Sequence, residues 1–224
     1  SLERHRALWF LLTRDEILKP GMNVLEVAPL NNHLYRKFIE ASSCSYICID
    51  KWRHGNPLDP RDTTWIDFEM DLCDLRFPDG TFDLVLMQHV IEEVPDDGKA
   101  FAEIARVLKP TGTAILEVPH DRSLRSTNEY GEARHFGNLR TYGVDFYQRL
   151  AKAFAFRWEE FVDGISFSVL RHVPDRAQSR GMPVLLDHPA MDADHFPTRF
   201  RDAISILEKY GFTALTTAQV ENYV

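Results

Sequence analysis

Apolar and polar positions fall along the chain in short blocks that alternate between a helical period and continuous apolar runs. Leu8, Trp9, Leu11, Leu12, Ile17 and Leu18 recur at mixed helical spacing over Leu2–Lys19, and Lys19-Pro20-Gly21 stops the pattern. A leading helix is expected there. Asn23–Val27 is then a short apolar run, Asn32–Ala41 a helical pattern, and Tyr46–Asp50 a second apolar run. Lys51–Arg61, rich in Gly, Pro, Asn and Asp, reads as a loop before a third strand over Thr63–Phe68. Phe77-Pro78-Asp79-Gly80 is a turn signal. The run Thr81–Met87 that follows is apolar almost throughout, as in a central parallel strand covered on both faces. Pro95-Asp96-Asp97 can cap a helix over Gly98–Leu108, whose Phe101, Ile104, Val107 and Leu108 share a face. Lys109-Pro110-Thr111-Gly112 ends it, and Ala114–Val118 is the fifth strand. Strands alternating with helices at this spacing imply an α/β fold with an open, mostly parallel sheet and right-handed crossovers.

The totals narrow the picture. A chain of 224 residues buries one good core, with room for an appendage. Hydrophobic content of 44% and charged content of 27% suit an ordinary soluble globular protein. A formal charge of −8 offers no general field for nucleic-acid phosphates, leaving only a local basic patch around Arg134, Arg140 and Arg149. No apolar run approaches the roughly 18 residues of a membrane span, and no signal-peptide pattern opens the chain. Cys44, Cys48 and Cys73 form no CxxC pair and have no zinc spacing. They read as buried reduced thiols, which suits a cytoplasmic protein. The opening at Ser1 without Met suggests a trimmed chain.

Chemistry concentrates where the first two strands end. A strand, a tight turn, a helix and a second strand closing on Asp50 make a mononucleotide-binding unit. The turn aims backbone N–H groups and a helix N-terminus at a ligand, and the acid can accept from two ribose hydroxyls. The usual glycines are replaced by Ala28-Pro29-Leu30-Asn31-Asn32. Proline has a fixed φ and no donor, so this turn cannot cradle a diphosphate as glycines do. That argues against a nicotinamide dinucleotide and leaves a nucleoside ligand open. Glu26, inside the first strand, is a buried carboxylate in need of a partner. His89, with an ordinary pKa near 6.5, could accept a proton from a hydroxyl or amine at neutral pH. His120-Asp121 is a second candidate acid–base pair, and Arg140 could pair a carboxylate or phosphate. Asp187, His188, Asp192, Asp194 and His195 have a metal-like composition without regular ligand spacing, so no metal is expected.

Phe82-Asp83-Leu84-Val85 through His89-Val90-Ile91-Glu92, followed by Arg106-Val107-Leu108-Lys109-Pro110-Thr111-Gly112, resembles the class I S-adenosylmethionine-dependent methyltransferases of the type 11 kind. A subgroup is similar to this chain in reading Ala-Pro after its first strand and in a downstream stretch seen here as Phe136-Gly137-Asn138-Leu139-Arg140-Thr141-Tyr142-Gly143. The resemblance covers roughly Leu18–Phe156. It implies a Rossmann-like, seven-stranded sheet with flanking helices in the order 3-2-1-4-5-7-6, the last strands lying near Arg157–Val162 and Ser166–Arg171. The cofactor it implies is S-adenosylmethionine. Glu26 and Ala28 would line its amino-acid end, Asp50 would take the ribose, Lys51 would lie by the adenine edge, and Asp71 and Leu72 would meet the adenine. Gln88 and His89 would sit beside the sulfonium and the acceptor, with His89 as the catalytic residue. His120, His135, Arg140 and Tyr142 would line the acceptor pocket.

Residues 1–175 are thus expected to form the methyltransferase-like domain and 176–224 a C-terminal appendage. The segment Met182–Pro189, with Phe200–Tyr210 and Gly211–Ala214, resembles the opening of a polysaccharide deacetylase, but no Asp-Asp or His-x-x-x-His motif follows. It implies either a piece of a fused or associated carbohydrate-modifying domain or a small αβ addition. The expected function is methyl transfer to an O or N of a small molecule or glycan. The alternative is an inactive scaffold of the same fold.

Overall fold

The structure is a computed structural model that describes residues 3–29, 33–51, 66–119, 121, 123–134, 137–160 and 166–172. Residues 30–32 of the expected turn, the expected loop from residue 52 on, the first half of the third strand, His120, His135 and the whole segment 176–224 lie outside the described residues. The described residues divide between two compact units, one with residues 3–19 and 160, the other with the rest.

In the first unit the described element is helix α1, Glu3–Arg14, with Ala7 through Leu12 all buried. It ends before the expected Lys19 because the backbone caps itself. Glu16 takes a left-handed φ of 46°. The Ile17 N–H then reaches back to the Leu12 carbonyl at 3.0 Å.

The second unit is built on a seven-stranded sheet. Its strands are β1 (Asn23–Val27), β2 (Ser45–Asp50), β3 (Phe68–Glu69), β4 (Phe82–Gln88), β5 (Leu108–Glu117), β8 (Phe154–Glu160) and β9 (Ser166–His172), with a hairpin of β6 (Asn128–Glu129) and β7 (Arg140–Thr141) set apart. The order is β3-β2-β1-β4-β5-β9-β8. The pairs β2–β3, β1–β2, β1–β4 and β4–β5 are parallel, the open α/β arrangement that the alternating blocks imply. Strand β9 joins β5 antiparallel.

Helices α2 (His33–Ala41), α3 (Asp97–Val107) and α4 (Phe146–Leu150) complete the layers. The core gathers Leu25 and Val27 of β1, Ile49 of β2 and Val85 and Met87 of β4 under Ala100, Phe101 and Ile104 of α3. These strand residues share a face because side chains alternate along a strand. The first turn of α3 is fixed by Asp96, whose carboxylate accepts the Lys99 N–H at 2.9 Å.

One expectation is corrected. Lys109–Gly112 was to separate α3 from the fifth strand, yet α3 passes straight into β5 at an extended Leu108. The extra residues are absorbed by a register shift, Phe82 facing Leu108 but Leu84 facing Thr113. Gly112 permits it, since a Cβ there would stand 2.9 Å from the Lys109 carbonyl oxygen.

Candidate active site at the carboxyl edge of the sheet

Strands β1, β2, β4 and β5 end side by side. The Ala28 N–H donates to the Ile49 carbonyl at 2.7 Å, and the His89 N–H to the Glu117 carbonyl at 2.9 Å. Gln88 faces Glu117 in register, and Asp50 faces Glu69. The edge therefore brings together Glu26, Ala28, Asp50, Gln88 and His89, all expected there. Strand β1 lies between β2 and β4, whose connections leave it in opposite directions, the crevice where open α/β sheets bind ligands.

Two residues at this edge hold backbone shapes that favour glycine. Ala28, just past β1, has φ 45°, and His89, just past β4, has φ 53°. A left-handed residue with a Cβ costs about 1–2 kcal/mol, and such strain collects at functional sites. Ala28, the first residue after β1, thus adopts a backbone conformation that favours glycine although it is not one. Pro29 is buried and Ala28 half-buried.

Glu26 is 5% exposed, and its Oε2 accepts the Tyr46 hydroxyl at 2.5 Å. Burial pushes its carboxyl up to about 7, against the pull of the Tyr46 hydrogen bond. The partner that a buried strand carboxylate requires is therefore a neighbouring-strand tyrosine. Asp71 is held below the usual carboxylate range by the Cys73 N–H, at 2.8 Å, and then by Lys51, whose Nζ lies 3.3 Å away. Lys51 and Asp71 are both open to solvent, whereas Leu72 is a core side chain packed with Met70 and Leu75.

His89 is clasped by two carboxylates. Its Nδ1 lies 3.2 Å from Glu92 Oε1 and its Nε2 3.0 Å from Glu117 Oε2, the second contact being an ion pair without good hydrogen-bond alignment. Burial lowers its proton affinity, but the contacts with Glu117 and Glu92 outweigh this and raise its pKa to about 9. The two carboxylates thus favour the charged ring, which works against the proton-accepting role expected for it.

Arg140 and Tyr142, expected at the acceptor, point their polar atoms inward. Arg140 is 5% exposed and donates to the carbonyls of Ile91 at 3.1 Å, Val94 at 2.5 Å and Pro95 at 2.9 Å, and to Glu129 at 2.8 Å. The Tyr142 hydroxyl, with no exposure, donates to Asp97 at 3.0 Å and lies 3.3 Å from the Ile91 carbonyl. Arg149 meets the same Asp97 oxygen at 2.6 Å. A groove of about 510 Å³ on α3 and α4 is lined by none of the residues expected in the site.

The sequence reading did not single out Tyr46, Glu117 or Glu92 as site groups. Glu92 had a signal, three residues past His89 within the quoted segment. Glu117 closes a strand beside the one that ends at Gln88, a relation visible once the strand order is known.

A family model described as "Methyltransferase domain" matches residues 30–116. Three solved structures show the same fold at low identity. Burkholderia thailandensis 1,6-didemethyltoxoflavin-N1-methyltransferase, solved with its namesake 1,6-didemethyltoxoflavin and S-adenosylhomocysteine bound, is 16% identical over 75% of this chain and 78% of its own, with TM-score 0.53. The [4+2]-cyclase SpnF is 16% identical over 75% of this chain and 81% of its own, also at 0.53. The PH0226 protein of Pyrococcus horikoshii OT3 is 19% identical over 76% and 91%, again at 0.53. The sheet order and these likenesses together show the Rossmann-like methyltransferase fold. Within this chain, residues 30–116 are the part that matches the methyltransferase domain.

Proposed function

We propose that this chain binds S-adenosylmethionine at the ends of β1 and β2 and passes its methyl group to an O or N of a small molecule or glycan. The observation that carries this reading is the left-handed Ala28 beside β2 and its terminal Asp50. Ala28 keeps the backbone form that the missing glycines would favour. Asp50 would accept the ribose hydroxyls, with Lys51 and Asp71 at the adenine. Glu26 and Ala28 would line the amino-acid end, and Gln88 the sulfonium. Leu72, from within the core, would support the adenine side rather than stack on it.

When bound, the cofactor supplies an electrophilic methyl group. The chain then has to place the acceptor in line with it, and such positioning carries much of the rate in a displacement of this kind. The carboxylates of Glu92 and Glu117 favour the charged form of His89, so a neutral nucleophile or one activated by the acceptor's own chemistry suits the site better than a deprotonation by His89. That the [4+2]-cyclase SpnF shares the fold means that the fold alone does not fix the activity, and an inactive scaffold or binding module is the second reading.

Titration calorimetry with S-adenosylhomocysteine tests the proposal. Binding to the folded chain is expected, and Asp50→Ala should weaken it by about 1.5–3 kcal/mol, the worth of hydrogen bonds to a charged group. No heat of binding to well-folded protein would leave only the architecture. Binding of the cofactor that Asp50→Ala leaves unaltered would remove the ribose role.

A further inference from the structure

Arg140 reaches His89 through a short chain of contacts. The Ile91, Val94 and Pro95 carbonyls on its guanidinium bracket the 3-10 turn Ile91–Glu93. Glu92, inside that turn, is 1% exposed and turns Oε1 to His89 Nδ1. The Leu139 N–H, one residue before Arg140, donates to the Glu92 carbonyl at 2.9 Å. Leu139 by its backbone and Arg140 by its side chain therefore grip the turn together, while Glu129 of β6 steadies the guanidinium.

We propose that Arg140 is a positioning residue, whose guanidinium locks the 3-10 turn so that Glu92 stays against His89 at the end of β4. A planar fork holds the three carbonyls and the Glu129 carboxylate at once, one acceptor more than the three N–H donors of an ammonium can serve. The charged groups facing His89 are Glu92 from the turn and Glu117 from β5. The inference does not rest on the cofactor reading, because the titration of His89 reports it with no ligand added.

The sign of the effect separates positioning from plain electrostatics. Arg140 is itself a cation, so its removal through space alone would make His89 hold its proton more tightly. Loss of positioning does the opposite. NMR titration of the imidazole nitrogens in the full chain is the experiment, with a cooperative thermal melt certifying each fold. The midpoint near 9 should fall towards the ordinary 6.5 in Arg140→Met, by at least tenfold in proton affinity. Arg140→Lys and Glu129→Gln should each give a smaller fall. Glu92→Gln should match Arg140→Met, and the double variant should fall no further. An unchanged or raised midpoint in folded Arg140→Met overturns the proposal, as does an additive double variant. Should Arg140→Met not fold, unchanged midpoints in both Arg140→Lys and Glu129→Gln overturn it equally.

Discussion

On the β1–β2 side of the carboxyl edge, Asp50, Lys51 and Asp71 stand half-buried or open, whereas Arg140 and Tyr142, in and just after β7, are turned into the protein. Asp50 is half-buried, and Lys51 and Asp71 form a solvent-facing ion pair at 3.3 Å. Arg140 and Tyr142 instead spend their donors on carbonyls and on Asp97. The contrast teaches that a polar side chain in a ligand-side loop serves the loop first. Damage on the first side should therefore show in binding before folding, and on the second in folding before binding.

The sharpest break is at Gly143, after β7. A Cβ there would lie 2.7 Å from the Leu124 carbonyl oxygen and 2.7 Å from the Ser126 carbonyl carbon, backbone atoms that cannot step aside. Gly143→Ala should cost about 3 kcal/mol in urea denaturation, with S-adenosylhomocysteine affinity of the folded fraction kept. Equal losses in both would erase the distinction between the two sides.

Next comes pH, which acts on each side in its own window. Glu26 is raised from 4.5 to about 7, so the folded state favours its neutral form; that stability is full below 4.5 and lost as pH rises through 7. His89 is raised from 6.5 to about 9, so its contribution is full below 6.5 and lost as pH rises through 9. Glu26→Gln should abolish only the first decline. At pH 8 the variant should be more stable than the parent by on the order of 2–3 kcal/mol, and at pH 4 the two should match. A parent whose stability is flat between pH 5 and 8 would contradict this.

Tyr142→Phe should be milder, about 1 kcal/mol in thermal or urea unfolding, because Arg149 still satisfies Asp97. Cofactor affinity should not move. Ala28→Gly should be smallest in stability, within about 0.5 kcal/mol, since relief of the left-handed strain is offset by the greater freedom of glycine in the unfolded chain.

What the sequence made legible follows from what leaves a periodic trace. Thr81–Met87 announced a central strand because both of its faces are covered, and Asp96 announced α3 because a cap acts within three residues. The end of Asn23–Val27 and Asp50 marked the crevice for the same local reason. The hairpin of β6 and β7 left no trace, since two-residue strands have no period to show. The inward turn of Arg140 was equally hidden, because its partners are backbone carbonyls, which every sequence supplies. The charge state of His89 depends on Glu117, brought beside it only by the pairing of β4 with β5.

The left-handed Ala28 carries a thermodynamic consequence. A turn made of glycines samples many shapes when empty and must surrender that freedom on meeting a ligand. A turn of Ala28 and Pro29 has already surrendered most of it during folding. Association there should accordingly show a smaller entropic penalty than in Ala28→Gly, a difference that calorimetry at several temperatures would read directly.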